Sequence, residues 1–152
     1  MISKKTLDAL ASTIYLGKLQ LRGETVREDD QKIRASGLYD DFDEAKAYNP
    51  GDVCNAIGQT WENHQAIDPA KNPGVVPGSS AWPTFFRPLH GKTRETARPF
   101  VRPQYGTTDI YKYGEWMIYT DGDYYECIAQ NGTNFSPIDY PAGWRKDVEV
   151  TS

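Results

Sequence analysis

Residues Tyr111–Trp144 read YKYGEWMIYTDGDYYECIAQNGTNFSPIDYPAGW, and a weaker copy lies upstream at Tyr48–Trp82, YNPGDVCNAIGQTWENHQAIDPAKNPGVVPGSSAW. Both open on Tyr-x-x-Gly followed by an acid: Tyr48, Gly51 and Asp52, then Tyr111, Gly114 and Glu115. Each places a glycine in a short turn, Gly58 or Gly122, and follows it with an aromatic and a glutamate, Trp61-Glu62 or Tyr125-Glu126. A proline-containing loop then leads to a closing tryptophan, Pro77 to Trp82 and Pro137 to Trp144. Matched punctuation over two such stretches is an internal repeat, and a repeat constrains the fold more than any single element does.

Within each copy the residues on either side of the glycine read as two strands of a hairpin. In the first, a two-residue turn at Ile57-Gly58 sets Cys54 opposite Trp61. The second has one more residue before its glycine, which suits a three-residue loop, Thr120-Asp121-Gly122, with glycine in the left-handed position. That loop sets Met117 opposite Tyr125 and Ile118 opposite Tyr124. A two-residue Asp121-Gly122 turn would shift every pair by one and exchange the faces. The three-residue loop keeps the two copies equivalent and is preferred.

The 152-residue chain has room for one ordinary domain or two very small ones. Only 38% of its residues are hydrophobic and the mean hydropathy is −0.68, so any core is modest. Aromatics reach 12%, and with 13 Gly and 10 Pro they point to small β units held by aromatic packing. No apolar run approaches the roughly 20 residues of a membrane span, so no membrane insertion is expected. The opening residues MISKKTLDALASTIYLGKLQ show neither a signal core nor a small-residue cleavage site, which leads one to expect synthesis in a cytoplasm. Charge is segmented. Residues 38–86 and 104–152 each carry a net of −5, residues 1–37 a net of +2 and residues 87–103 a net of +4. Acidic repeats argue against nucleic acid as a partner, because phosphate binding needs a basic face.

These features divide the chain into a helical N-terminal segment at 1–37, a first β repeat at 38–88, a proline-rich basic linker at 89–104, a second β repeat at 105–148 and a tail at 149–152. The fold class is mainly β with an α-helical N-terminal segment, the β part being two tandem modules of a hairpin or three strands. Ser3 caps an expected helix over 3–16, with Leu7, Leu10, Ala11 and Ile14 at helical spacing and Gly17 weakening its end. A second helix is expected over about 25–35, opened by a Thr25-x-x-Glu28 capping box and stopped by Gly37. Two readings of these helices stay open. They pack on the first repeat, or they bind copies of themselves, as a homo-oligomer, or other subunits of an assembly. The basic stretch 87–103 is either a solvated connector or a segment that docks on its acidic neighbours.

Chemistry is hard to find. His64 and His90 lie in no Ser-His-Asp or Cys-His arrangement, and there is no phosphate loop or metal-ligand spacing. No catalytic residue, metal or cofactor is expected, and the chain is read as no enzyme. Asp52 and Glu115 stand at matched hairpin starts, where capping a turn explains them. Cys54 and Cys127 sit in non-equivalent strands and are expected to be buried free thiols. What remains is aromatic surface. Under the preferred register Met117, Tyr119, Tyr125 and Cys127 face the core, while Trp116, Ile118, Tyr124 and Glu126 share the opposite face. The corresponding face of the first repeat carries Val53, Asn55, Thr60 and Glu62. Trp116, Tyr124, Glu126 and Ile118 are therefore the candidate carbohydrate- or partner-binding residues, unless the N-terminal helices or the linker cover them.

The repeat resembles the chitin-binding type modules of carbohydrate-binding families 5 and 12. In the first copy Tyr48, Gly51, Asp52, Gly58, Trp61 and Trp82 fall on the family pattern. In the second, Tyr111, Gly114, Glu115, Met117, Tyr119, Tyr125, Pro137 and Trp144 do so after one inserted residue. Two such modules behind a short helical segment resemble small proteins encoded in phage and prophage tail regions. The resemblance implies non-catalytic β modules whose surface aromatics stack on sugar rings, often N-acetylglucosamine polymers. Family members that bind sugar commonly carry exposed aromatic or His-Thr residues shortly after the second strand, where this chain has Ala66-Ile67 and Asn131-Gly132. The expectation is a phage virion protein, associated with the tail or its fibres and made in the bacterial host cytoplasm. Its expected partners are other virion proteins and host cell-wall polysaccharide. The alternatives are a purely structural or decoration subunit whose aromatic patch makes protein contacts, or a glycan-targeting accessory to a lytic enzyme.

Overall fold

Ile57 and Gly58 take positive φ, +46° and +71°, the mirror-image turn whose twist matches that of the flanking strands. The turn closes β1 (Val53–Ala56) on β2 (Gln59–Asn63) and sets Cys54 opposite Trp61, as the spacing predicts. The computed structural model describes residues 3–104 and 109–147. The expected tail at 149–152, residue 148 and the opening of the second repeat at 105–108 lie outside them. The chain divides into two compact units, Met1–Leu89 and His90–Ser152.

The first unit begins with α1 (Lys4–Leu21), whose N-cap Ser3 accepts the Thr6 N–H at 3.1 Å. The helix runs past Gly17, five residues beyond the expected end, because Leu19 is buried and holds the last turn down. It closes where Glu24 N–H reaches Leu19 O and Gly23 N–H reaches Gln20 O, a Schellman pattern. α2 (Asp29–Arg34) starts later than expected. Its Gln31 side chain accepts the Arg27 and Glu28 N–H groups at 2.8 and 2.9 Å, so the box is Glu28/Gln31 and not Thr25/Glu28. A 3₁₀ turn over Ser36–Leu38 follows.

The inward face of α1 differs from the expected one. Leu7, Leu10 and Ile14 are 50%, 55% and 52% exposed, whereas Ser12 and Leu19 are buried. Two polar and steric contacts decide the rotation. The Ser12 hydroxyl donates to Arg34 O at 2.8 Å and accepts the Gly37 N–H at 3.0 Å. Gly37 lies so close to α1 that a Cβ there would collide with the Asp8 carbonyl. α2 is tied to the sheet by a half-buried ion network. Arg87 makes two 2.8 Å bonds to Asp29 and one of 3.3 Å to Glu62, and Lys32 pairs with the same glutamate.

β3 (Phe86–Pro88) completes a three-stranded antiparallel sheet in the order β1-β2-β3, entered from the short helix α3 (Trp82–Phe85). Its core is aromatic. Trp82 stacks on Phe86 at 4.1 Å and meets Trp61 edge-on at 5.4 Å, and Phe42 stacks on Tyr48 at 5.3 Å. Tyr48, Trp61 and Trp82 are buried.

The second unit holds a four-stranded sheet, β4 (Arg98–Pro99), β5 (Trp116–Ile118), β6 (Tyr124–Cys127) and β7 (Trp144–Asp147), in that order. β5 pairs with β6 as Met117↔Tyr125 and Ile118↔Tyr124 around a Thr120-Asp121-Gly122 loop, so the three-residue register holds. Tyr111, Met117, Cys127 and Trp144 form the core, with Phe100, Tyr119 and Tyr125 against it. Tyr125 is only half-buried because its hydroxyl reaches out to Asp121 at 2.7 Å.

Much of the expected linker is built into this unit. β4 pairs parallel with β5, and Gly91 bridges to Trp116. Phe100 stacks on Tyr111 at 5.4 Å, while Val101 N–H donates to the Tyr111 hydroxyl at 3.0 Å. The prolines restrict ladder length without preventing a two-residue edge strand. Arg94 and Arg102 pair with Asp147 and Asp139, each at 2.7 Å, so of the two readings it is the docking one that matches.

Both repeats use one scaffold. Tyr48 exchanges backbone bonds with Ile67, and Tyr111 exchanges them with Thr133. Asp52 accepts the Asn49 N–H at 2.8 Å and Glu115 accepts the Lys112 N–H at 2.7 Å, the turn-capping role read from their positions.

Candidate functional site

β5 and β6 alternate as expected, so Trp116, Ile118, Tyr124 and Glu126 share the face opposite the Met117 core. They do not form a bare platform. All four are half-buried, and charged side chains occupy the aromatic faces. The Arg94 guanidinium lies 4.0 Å from the Tyr124 centroid while donating to Asp147. Arg145 lies 6.0 Å from the Trp116 centroid and donates to Glu126 at 3.0 and 2.5 Å. Arg94 comes from the segment read as a linker and Arg145 from β7, and each finds both a ring quadrupole and a carboxylate here. Glu126 already accepts two bonds from Arg145, which reduces its capacity for another donor.

A second aromatic surface lies beyond β6, in the loop that returns to β7. Arg102, Gly132, Thr133, Asn134, Phe135, Asp139 and Tyr140 line an open cleft of about 550 Å³. Phe135 is 51% exposed and Tyr140 41%, yet the backbone beneath them is pinned. Phe135 N–H donates to Thr133 Oγ1 at 3.0 Å, and its carbonyl accepts the buried Trp144 Nε1–H at 3.0 Å. Ser136 accepts the Asp139 N–H on its hydroxyl and the Tyr140 N–H on its carbonyl. The Tyr140 ring lies against Gly143, where a side chain would strike it.

Arg102 donates to Asp139 at 2.7 Å on the cleft wall, and that bond, then the Ser136 hydroxyl, holds the Asp139 carboxyl below its usual range. The cleft thus joins two fixed apolar ring faces to an ion pair, an amide and backbone polar groups. Such a surface can stack on the C–H face of a flat polar ligand while bonding its hydroxyls.

Asn131-Gly132, where the family resemblance would place an exposed aromatic, carries none. Phe135 follows three residues later and Tyr140 eight, both in a loop without periodicity, so only their composition, aromatics beside Asn, Ser and Pro, could have marked them. The first unit does not match this surface: Ile67 and Val75 in its long loop are buried. Cys54 and Cys127 are buried free thiols, and burial pushes the Cys54 thiol up to about 12. Among the described residues no group of His, Cys, Asp and Glu is placed to hold a metal ion, and no helix is long and apolar enough to cross a membrane. No protein-family model matches the chain, and no curated protein matches it significantly.

Proposed function

We propose that this is a non-catalytic recognition protein of a phage virion, associated with the tail or its fibres, that binds host cell-surface glycan. The observation that carries the reading is the pair of exposed rings, Phe135 and Tyr140, on a hydrogen-bonded loop beside Arg102 and Asp139. It is supported by the resemblance of both repeats to carbohydrate-binding families 5 and 12, which rests on the Tyr-x-x-Gly-acid turns and the closing tryptophans. In this reading the ligand surface is the Phe135–Tyr140 cleft. Trp116, Ile118, Tyr124 and Glu126 form a secondary contact face that must first release Arg94 and Arg145.

The test is retention on insoluble N-acetylglucosamine polymer and on purified host wall polysaccharide. Phe135→Ala with Tyr140→Ala should weaken retention about tenfold or more, the effect of losing roughly 1.4 kcal/mol of contact. The melting temperature should stay within about 4 °C, since both side chains are exposed. Undiminished retention would remove the cleft from the function. A second reading, a structural virion subunit, is favoured by the exposed apolar residues of α1. It predicts no retention on either polymer and failure of the same chain to enter particles when α1 is altered.

A further inference from the structure

We propose that the Phe135–Tyr140 cleft reads an acidic sugar, a pyranose stacked on the rings with its carboxylate held by Arg102. This rests on the glycan reading above and narrows its substrate class. The arginines of the second unit that pair with acids are not equally committed. Arg94 and Arg145 each lie over a ring as well as beside a carboxylate. Among the described residues Arg102 has one side-chain hydrogen bond, from Nη2–H to Asp139 Oδ2 at 2.7 Å, and its side chain is 53% exposed. A guanidinium carries five N–H donors, paired along two edges, so a single bond leaves one edge complete for a second acceptor. The exposed Asn134 amide makes no side-chain hydrogen bond among the described residues, and neither Phe135 nor Tyr140 meets another ring there.

Donor geometry selects the ligand. The unused polar groups of the cleft are mostly donors: the open Arg102 edge and the Asn134 amide N–H, with the Asn134 carbonyl as an accompanying acceptor. A carboxylate accepts both N–H groups of one guanidinium edge in a common plane, and charge assistance makes such bonds roughly twice as strong as neutral ones. A hydroxymethyl in the same place offers one uncharged oxygen. In a hexuronic acid the carboxylate projects from the edge of the ring. The C–H face of the sugar can therefore lie on an aromatic while the carboxylate meets the wall beside it. Asp139 takes the other edge of Arg102, and its carboxyl accepts from that guanidinium and from the Ser136 hydroxyl. Residues 104–152 carry a net of −5, so the attraction is local to Arg102 and a long polyanion is repelled by the acidic balance of that stretch. The fitting ligand is an acidic sugar among neutral ones, not a uniformly charged polymer.

Calorimetric titration of the full-length protein with cellobiuronate, a glucuronate linked to glucose, tests this against neutral cellobiose and against the methyl ester of cellobiuronate. Wild type should bind the acid about tenfold or more tightly than either uncharged sugar, the step that one charge-assisted pair supplies. Arg102→Gln should bring that ratio close to one, with an unchanged circular dichroism spectrum because the side chain is exposed. Arg102→Lys keeps the charge without the paired edge and should recover only part of the preference. Phe135→Ala with Tyr140→Ala should weaken acid and neutral sugar alike, since the rings contact the face that both share. Equal affinity of wild type for acid and neutral sugar, or a preference that survives Arg102→Gln, would overturn the acidic-sugar proposal and leave the glycan reading standing. Tighter binding of a glycerol phosphate oligomer than of cellobiuronate would overturn it too, by placing the charge on phosphate. Wild type that binds none of these sugars overturns it as well, and the glycan reading falls with it only if the wall polysaccharide is also not retained.

Discussion

Asp52 and Glu115 occupy the same place in the two repeats and cap the same turn, but their surroundings differ. Asp52 is exposed. Glu115 is 7% exposed and also bonds His90 Nδ1 at 3.1 Å, beneath a His90–Tyr111 stack with centroids 3.8 Å apart. Removing a surface cap forfeits little because water replaces the lost acceptor. Removing a buried acceptor strands the donors that pointed at it. Asp52→Ala should therefore cost about 0.5–1 kcal/mol and Glu115→Ala about 2–3 kcal/mol. Denaturant melts of the full chain give both values, and equal losses would mean that the burial of Glu115 is energetically idle. The exposed Asp139 carries a pH signature instead. Arg102 depresses its folded pKa, so whatever that bond contributes is present above the unfolded value near 3.9 and is lost as pH falls through the lower folded value. Glycan retention that depends on this bond should be flat above about pH 5 and decline only in acid below the usual carboxylate range.

Single glycines decide whole elements here, and Gly37 does so by proximity. Gly37→Ala forces its Cβ into the Asp8 carbonyl, a backbone group that cannot rotate away. Either α1 shifts and the Ser12 bonds stretch, or the 3₁₀ turn moves, and the expected cost is about 1–3 kcal/mol. The loss should be local: faster proteolysis within α1, with the hairpin of β1 and β2 still formed. Global unfolding would show that α1 is integral to the first sheet. This element also marks the limit of what sequence reveals. Hairpin registers are legible because alternation has a period of two and the turn glycines admit few backbone paths: Cys54↔Trp61 follows from the Ile57-Gly58 turn, and Met117↔Tyr125 from preferring, over a two-residue turn, the three-residue loop that keeps the repeats equivalent. The inward face of α1 is not, because the more apolar stripe points outward and a serine hydroxyl with a close glycine contact fixes the rotation. Charged residues at 87–103 suggest solvent, yet Phe100 and the pairings of Arg94 and Arg102 fold that segment onto its unit. The cleft is least legible, since Phe135 and Tyr140 come together through loop geometry that has no period.

At the scale of the molecule, each unit closes an aromatic core of its own: Tyr48, Trp61, Trp82 and Phe86 in one, Tyr111, Met117, Cys127 and Trp144 in the other. Each core also contains one buried cysteine, Cys54 at 1% and Cys127 at 0% exposure. The thiolate is the reactive form, and burial raises both thiols, Cys54 to about 12. Neither should label while its core is closed, so each reports the opening of its own unit. Trp82→Phe removes part of the stack on Phe86 and should cost the first unit about 2 kcal/mol. When closing is fast relative to labelling, the open population sets the rate, and 2 kcal/mol raises it roughly 30-fold. Pulsed maleimide labelling read by mass spectrometry should then show Cys54 accelerated by about that factor in Trp82→Phe, with Cys127 at the wild-type rate. Trp144→Phe should do the reverse. Equal acceleration of both cysteines by either variant would show that the chain opens as one cooperative body, and that two separate cores do not make two separate folding units.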